Sequence, residues 1–552
     1  MRSAKTATLC TALALAGCGG EKGETLDTDT ATSEASSTAA TSGASETNTS
    51  STDPTETPTT STTSTSATAT STDPGTTATA TTDAPDTDGP VSPLCGDPIH
   101  FATFKQPTTL IYVATSGVDG PDCGAQDSPC QTVEVAAAKA TPGTGIRLLG
   151  SSFGPDIFLS DLAGTEDAPI WIGGEFGLPP LIAGGGEALH LSRVRHLVIH
   201  DLEIMDATGN GINVDDGGAV DDPEATRFIA FERLFIHDIG EGGNQDCLKL
   251  SGVNDFWVLN GQFERCGAGG SAIDHVGCHR GLILGNLFAD NDGNAVQTKG
   301  GSEDIEIRGN TMLDCGQRAV NMGGSTGFEF FRPPLTPDGD NAEARDIRVV
   351  SNLIQGGETP LAFVGCVDCL AAHNTIVRPH HWLLRILQET VTDQQFTFAP
   401  ASNGRFINNL VVFDRADIST YVNIGGDTAP ETFTFTTNLW YAVDAPDQSS
   451  PAGDLPVPET GAIAGEDPLL VDLVSNFYPT PASPAVGSGT PLPEVAADRN
   501  LGCWNDPRAV APSSCSGERA ARAATCPEGQ LSPSCPAGQV HTQAAAVLSS
   551  SL

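Results

Sequence analysis

Leu284-Gly285-Asn286-Leu287, Arg308-Gly309-Asn310-Thr311, Val350-Ser351-Asn352-Leu353 and Ala372-His373-Asn374-Thr375 are four versions of one phrase. Each closes a β-rich pair, places an Asn at a turn and resumes on a residue suited to a strand. The phrase extends to Ile199-His200-Asp201-Leu202, Ile407-Asn408-Asn409-Leu410 and Thr436-Thr437-Asn438-Leu439. Asn286 and Asn310 are 24 residues apart, and Asn352 and Asn374 are 22 apart. A repeat of this length, built from short strands with Gly, Asn and Asp between them, describes one coil of a parallel β-helix rather than a propeller blade or a leucine-rich horseshoe. Stacked about 4.8 Å apart, the Asn side chains would hydrogen-bond from coil to coil, so Asn286, Asn310, Asn352 and Asn374 are expected to be structural.

A second strand accompanies each phrase. Ile212-Asn213-Val214-Asp215, Leu248-Lys249-Leu250-Ser251, Ile273-Asp274-His275-Val276, Val296-Gln297-Thr298-Lys299 and Val320-Asn321-Met322-Gly323 alternate with a period of two. The alternation turns Ile212, Leu248, Ile273, Val296 and Val320 inward, together with His275, and turns Asn213, Lys249, Asp274, Gln297 and Asn321 outward. Asp215 and Lys299 lie further along the same strands, and Asn210, Asp246, Asn294 and Arg318 just ahead of them. A polar stripe across successive coils is where a solenoid presents a binding or chemical face.

Composition removes other classes. The chain has 552 residues, 27 Lys and Arg against 69 Asp and Glu, and a net charge of −42, so its field repels nucleic acid and anionic membrane surfaces. With 38% hydrophobic residues, 61 Gly and 38 Pro, it is too polar and turn-rich for a helical bundle or a multi-span membrane protein.

At the start, Arg2 and Lys5 precede a short apolar run, Ala7 to Ala16, too short to span a bilayer and read as an export signal over residues 1–17. Leu15-Ala16-Gly17-Cys18 resembles the bacterial lipobox, which implies a lipid on Cys18 and membrane attachment through that anchor alone, at the outer membrane or cell surface. Residues 18–90 are Ser, Thr and Asp-rich and cannot bury enough surface to offset their chain entropy, so they read as a disordered tether. The tether holds the smaller share of the charge, and the body, residues 91–505, is acidic in its own right.

The body opens with a strand at Leu110-Ile111-Tyr112-Val113, a turn-rich loop, a short helix at Thr132 to Ala140 and a strand at Ile146-Arg147-Leu148-Leu149. Tyr112-Val113-Ala114-Thr115-Ser116-Gly117, Ser128-Pro129-Cys130-Gln131-Thr132 and Pro142-Gly143 resemble the opening of secreted bacterial right-handed parallel β-helix proteins, pectate-lyase-like lipoproteins among them. The resemblance implies an all-β, single-stranded right-handed parallel β-helix whose helix caps the open end. It also implies an extracellular polysaccharide or cell-wall glycan as partner.

Two chemistries could use the stripe. In β-elimination on a uronic-acid polymer a cation neutralises the carboxylate and a base removes the C5 proton. The calcium-dependent lyases of this resemblance place acidic ligands and a basic residue on neighbouring coils. Here Asp215 and Asp246, with Asp216 and Asp274, could supply oxygen to Ca²⁺; Lys249 or Lys299 would be the base, Arg318 a charge partner, and Asn213, Gln297 and Asn321 would bind substrate. The alternative is glycoside hydrolysis by Asp246 and Asp274. Polygalacturonase-like β-helices carry an Asn-Thr-Asp motif that only Asn244-Gln245-Asp246 echoes, which places hydrolysis second. A non-catalytic glycan-binding scaffold, acting as a monomer, is the competing class.

Plainer accounts compete residue by residue. Lys249 and Asp274, one coil apart, are accounted for first as a salt bridge, His275 as a core histidine, and Asp215, Asp216, Asp221 and Asp222 as turn formers. His380-His381-Trp382 could stack on sugar or simply pack. Cys123 and Cys130 bracket a loop and read as a disulfide, Cys366 and Cys369 lack a second ligand pair for zinc, and Cys247, Cys266, Cys278 and Cys315 read as buried thiols. Asp467-Pro468-Leu469-Leu470-Val471-Asp472 and Ser483-Pro484-Ala485 resemble the final coil of surface β-helix proteins, and residues 506–552 form a Cys, Pro and Ser-rich tail with no assigned activity.

Overall fold

A computed structural model describes residues 99–492 and Val495, apart from Glu241, Gly242, Ala268 and Asp338. The signal, the tether, Cys18, the tail and the outer ends of the 91–505 body lie outside the described residues.

Each coil contributes one strand to each of three sheets, and every pairing between neighbouring strands is parallel. Arg195–His200 joins the first sheet, Glu203–Met205 the second and Ile212–Asp215 the third, after which Thr226–Glu232 returns to the first. Among the described residues the first sheet has 14 strands, the second 12 and the third 10. Inward side chains align from coil to coil: Ile212, Leu248, Ile273, Val296, Val320 and Leu361 pair in sequence and are fully buried. Each such side chain contributes about 1.5–3 kcal/mol by leaving water. A helix at Val133–Ala137, capped by Thr132, buries Val133 and Ala136 against the first coils, as expected of the lead-in.

The corner between the first and second sheets carries the asparagine ladder. The residue before each ladder position has a left-handed backbone, φ 70° at Gly285, 62° at Gly309, 59° at Ser351 and 57° at His373. That turn aims the next N–H along the helix axis, away from any strand partner. The Asn286 N–H donates to Asn310 Oδ1 at 2.9 Å, Asn310 to Asn352 at 2.9 Å, Asn352 to Asn374 at 3.0 Å and Asn374 to Asn409 at 3.0 Å. Each Nδ2 donates back to a strand carbonyl, as Asn310 does to Ile283 at 3.0 Å. Asn409 continues to Asn438, and Glu459 ends the series by accepting from the Asn438 N–H at 2.9 Å and Nδ2 at 2.8 Å. One phrase is shifted: His200 pairs with Glu232, and Asp201 takes the left-handed place with φ 49°, so Leu202 rather than Asp201 holds the ladder position.

Parts of the outer faces of the first two sheets are apolar and covered by the ends of the described chain, while Glu203, Gln262 and Glu264 on the second and Glu306 and Arg348 on the first are polar. Ile99, Phe101 and Ala102 lie on Trp171, Val198, Ala230, Trp257 and Leu282 of the first sheet, and Leu492 and Val495 on Val350, Leu370, Ala372 and Ile407. Leu470, Leu473 and Ala485 cover Leu410, Val412 and Leu439 of the second, and Phe477 packs on Leu353 and Val377. The stretch from Asp467 therefore straps the second sheet instead of forming another coil; Leu470 pairs antiparallel with Pro479.

Cys123 and Cys130 form the expected disulfide. Cys247 and Cys266, expected as thiols, are bonded to each other, because one turn of the solenoid through three strands returns the chain to the corner between the second and third sheets; Cys366 and Cys369 are bonded as well. Cys278 and Cys315 are buried thiols.

Asn310→Ala strands the Asn286 N–H and the Ile283 carbonyl, and is expected to cost about 3 kcal/mol, whereas Asn213→Ala on the outer face should stay within about 0.5 kcal/mol. Chemical denaturation of both variants checks this.

Candidate functional site

The third sheet turns a continuous polar row outward. Asn213, Lys249, Asp274, Gln297 and Asn321 pair in that order, as the alternation predicts. The row begins earlier, at Phe158 and His190, and runs on through Ala362, Arg385 and Asn423.

Two long insertions wall one side of this row. Residues 324–343 and 388–403 leave the third sheet and pack on each other through Phe328, Phe331, Phe396 and Phe398, with Phe328 and Phe398 rings 5.7 Å apart. Buried Glu343 pins both. It accepts from the Gly300 N–H at 2.8 Å, the Thr326 N–H at 2.9 Å, the Thr326 hydroxyl at 2.8 Å and the Thr390 hydroxyl. Burial raises its pKa. Arg332 reaches back to Asp216, Nε to Oδ2 2.6 Å and Nη2 to Oδ1 3.1 Å. The corner at Gly277 must be glycine, since its φ is 60° and a Cβ there would overlap the Arg332 side chain.

At the centre four charged groups share one cluster. Lys249 Nζ is ion-paired with Asp274 and lies 3.4 Å from Asp246 Oδ2, while Lys299 Nζ is 3.3 Å from Asp274 Oδ2. Asp246 and Asp274 are each 1% exposed. Burial works against the Asp274 charge, yet Lys249 and Lys299 hold its pKa below the ordinary value. Burial, reinforced by the Asp274 charge and only partly opposed by Lys249, pushes Asp246 up to about 6. For Lys249, burial alone would lower the pKa, but Asp274 and Asp246 outweigh it and keep the ammonium charged. The salt-bridge account of Lys249 and Asp274 thus describes the geometry, and Lys249 is a poor base at neutral pH.

The proposed metal ligands are not brought together. Asp215 pairs in register with Ser251, at the end of the strand where His190 Nε2 and Ser192 Oγ each lie 2.7 Å from it. Asp246 sits at the opposite end, level with Asn210, whose Oδ1 accepts its N–H at 2.9 Å. Asp216 is held by Arg332. Calcium requires about six to eight oxygens; Asp246 and Asp274 offer two carboxylates that lysine ammonium groups already neutralise, so these residues do not fit the ion. The Asp-rich loop does form turns, with the Gly217, Gly218 and Glu224 N–H groups donating to Asp215, Asp216 and Asp222.

The remaining candidates divide. Gln297 Oε1 is within 3.3 Å of Ser271 Oγ and Asn294 Nδ2, and Asn213 and Gln297 are half-buried on the row. Asn321 is buried and accepts from Arg318 Nη1 at 3.1 Å. Arg318 leans away from the lysine cluster to Glu389 Oε1, 2.7 Å off. His275 is a core histidine, its Nδ1 2.8 Å from the Gln297 carbonyl, and burial pulls its pKa down to about 4. Sequence reasoning missed His190, Glu343 and Arg385. Extending the alternation through Leu361-Ala362-Phe363-Val364 and Trp382-Leu383-Leu384-Arg385 would have found Arg385; no signal of that kind marks Glu343.

Residues 187–333 match the family model described as the right handed beta helix region. The fold is a right-handed parallel β-helix. Among solved structures, a pectate lyase is 12% identical, with 74% of this chain and 97% of that chain covered and a TM-score of 0.43. An alginate lyase from Paenibacillus sp. str. FPU-7 is 14% identical, covering 58% and 99%, with a TM-score of 0.37. A GH136 lacto-N-biosidase from Eubacterium ramulus is 15% identical, covering 64% and 67%, with a TM-score of 0.40. No curated protein matches the sequence.

The cluster gives the β-helix a pH signature. Asp246 binds its proton more tightly folded, at about 6, than unfolded, where 3.8 applies. Its stabilising contribution is therefore full at low pH and falls as pH rises from about 4 to about 6, by roughly 1 kcal/mol per unit. Asp246→Asn should remove that slope while wild type keeps it, as measured by denaturation across this pH range.

Proposed function

We propose that the outer face of the third sheet binds an extracellular polysaccharide laid across successive coils. The observation that carries this reading is the registered row of Asn213, Lys249, Asp274, Gln297 and Asn321, which gathers amides and cations over successive coils beside the two insertions, whereas chain ends cover parts of the other two sheets. Asn213 and Gln297 would hydrogen-bond sugar hydroxyls, and the tips of Lys249 and Lys299, whose side chains are 18% and 12% exposed, would donate further hydrogen bonds. Coils recur about every 4.8 Å, close to the rise per sugar in an extended glycan, which favours a long chain over a single residue. A lipid at Cys18 and the tether would hold this face clear of the membrane.

Hydrolysis is a second reading, favoured by the split between Asp246, whose pKa of about 6 lets it hold a proton under mildly acidic conditions, and ionised Asp274, the arrangement an acid and a carboxylate partner require. It needs Lys249 to swing aside, because both carboxylates lie beneath it. Elimination with Lys249 as base is not adopted, since two carboxylates keep that amine protonated.

Retention of soluble pectic, alginate and neutral glycans on immobilised protein tests the binding reading. The Asn213→Ala, Gln297→Ala double variant is expected to bind at least about tenfold more weakly, ~1.4 kcal/mol. Retention of no glycan, or undiminished affinity in the double variant, would refute it. New reducing ends released by wild type and abolished in a folded Asp246→Asn variant would establish hydrolysis; ultraviolet absorbance from an unsaturated uronide would establish elimination instead.

A further inference from the structure

Past Asn321 the outward row steps to Ala362 and then to Arg385. Ala362 carries a single methyl, so the space over the middle coil belongs to the long side chains on either side. From one side comes Arg318, whose Nη1 donates to Asn321 Oδ1 and whose Nη2 reaches Glu389, four residues beyond Arg385. From the other comes Arg385, whose Nε donates to Asn423 Oδ1 at 3.0 Å while its guanidinium carbon lies 4.1 Å over the Trp382 ring. The stacked ring and the Nε bond fix the guanidinium plane.

Arg385 has no carboxylate partner among the described residues. Glu389 is committed to Arg318, and Glu358 is exposed. Burial and the nearby Arg318 charge push the Arg385 pKa down to about 10, against the pull of those two glutamates. A guanidinium held beside a second cation without a carboxylate of its own is an arrangement that an anion would relieve.

We infer that Arg318 and Arg385 clamp an oxyanion substituent, a carboxylate or a sulfate ester, carried by the bound glycan. This rests on the third-sheet face being the glycan site and adds the substrate class: an anionic polymer with one charged group gripped beside Trp382. The lysine cluster cannot make this selection, because its cations are already matched by Asp246 and Asp274. The free Nη edge of Arg385 faces the oxyanion and Arg318 supplies the second charge.

Because the ring beneath Arg385 reports on it, free anions test the clamp without the polymer. Inorganic sulfate and glucuronate are titrated separately into the full chain, and the signal is the tryptophan fluorescence change that Trp382→Phe removes. A saturable Trp382-dependent change is expected, weakened at least about tenfold in Arg385→Gln, ~1.4 kcal/mol, and weakened also in Arg385→Lys, which keeps the charge but loses the fork. A response to glucuronate alone assigns a uronate, and a response to sulfate alone a sulfated sugar. No Trp382-dependent response to either anion, or an Arg385→Gln curve matching wild type, overturns the clamp, whatever the glycan retention shows. A normal anion response with no polysaccharide retained leaves the clamp standing and refutes the glycan reading instead.

Discussion

The hydrogen bond from each corner N–H to the asparagine side chain of the next coil is the interaction on which the rest of this protein depends. A left-handed residue turns the chain out of the first sheet and leaves that N–H with no strand to pair with. Asn answers it with one atom and repairs a strand carbonyl with another, so the corner is satisfied only when coils stack in a single register. With register held there, every outward position of the third sheet falls over its neighbour, and Lys249 meets Asp274 because the two are register partners on adjacent strands.

Much of this was legible because both signals are local. The corner phrase shows as an Asn between a β-rich pair and a residue suited to a strand, and the third sheet as alternation of period two. The reading failed where identity replaced geometry: at Asp201, a short polar residue in the right phrase occupies the left-handed place, not the ladder place. It also failed across strands. Asp215 and Asp246 look like neighbours on adjacent coils, but they stand at opposite strand ends, a difference that depends on coil length and not on the residues themselves. Likewise Arg332 finds Asp216 through an insertion whose path no periodicity encodes, and Cys247 finds Cys266 because one turn of the solenoid brings the chain back to the same corner.

Electrostatics resolve a tension in the composition. A chain with a net charge of −42 should repel an acidic polymer, yet screening confines such repulsion to about 8 Å at physiological salt. Within that distance the outward row is locally cationic or neutral: Lys249 and Lys299 face out over the acids they neutralise, Arg318 lies one coil beyond Lys299 and Arg385 three. The acidic residues of the body are drawn elsewhere, many into Asp–Arg pairs that bridge neighbouring coils at other corners, such as Asp201 with Arg233 and Asp238 with Arg265.

Asparagine both gives and receives, so a ladder of asparagines has no chemical reason to stop; a second molecule presenting the same corner could extend it without limit, as in a fibre. Glu459 receives but has nothing to give. By occupying the last acceptor position among the described residues with a group that, ionised, cannot donate onward, and by also taking the Trp440 indole N–H at 2.8 Å, it acts as a terminator of the ladder at that end.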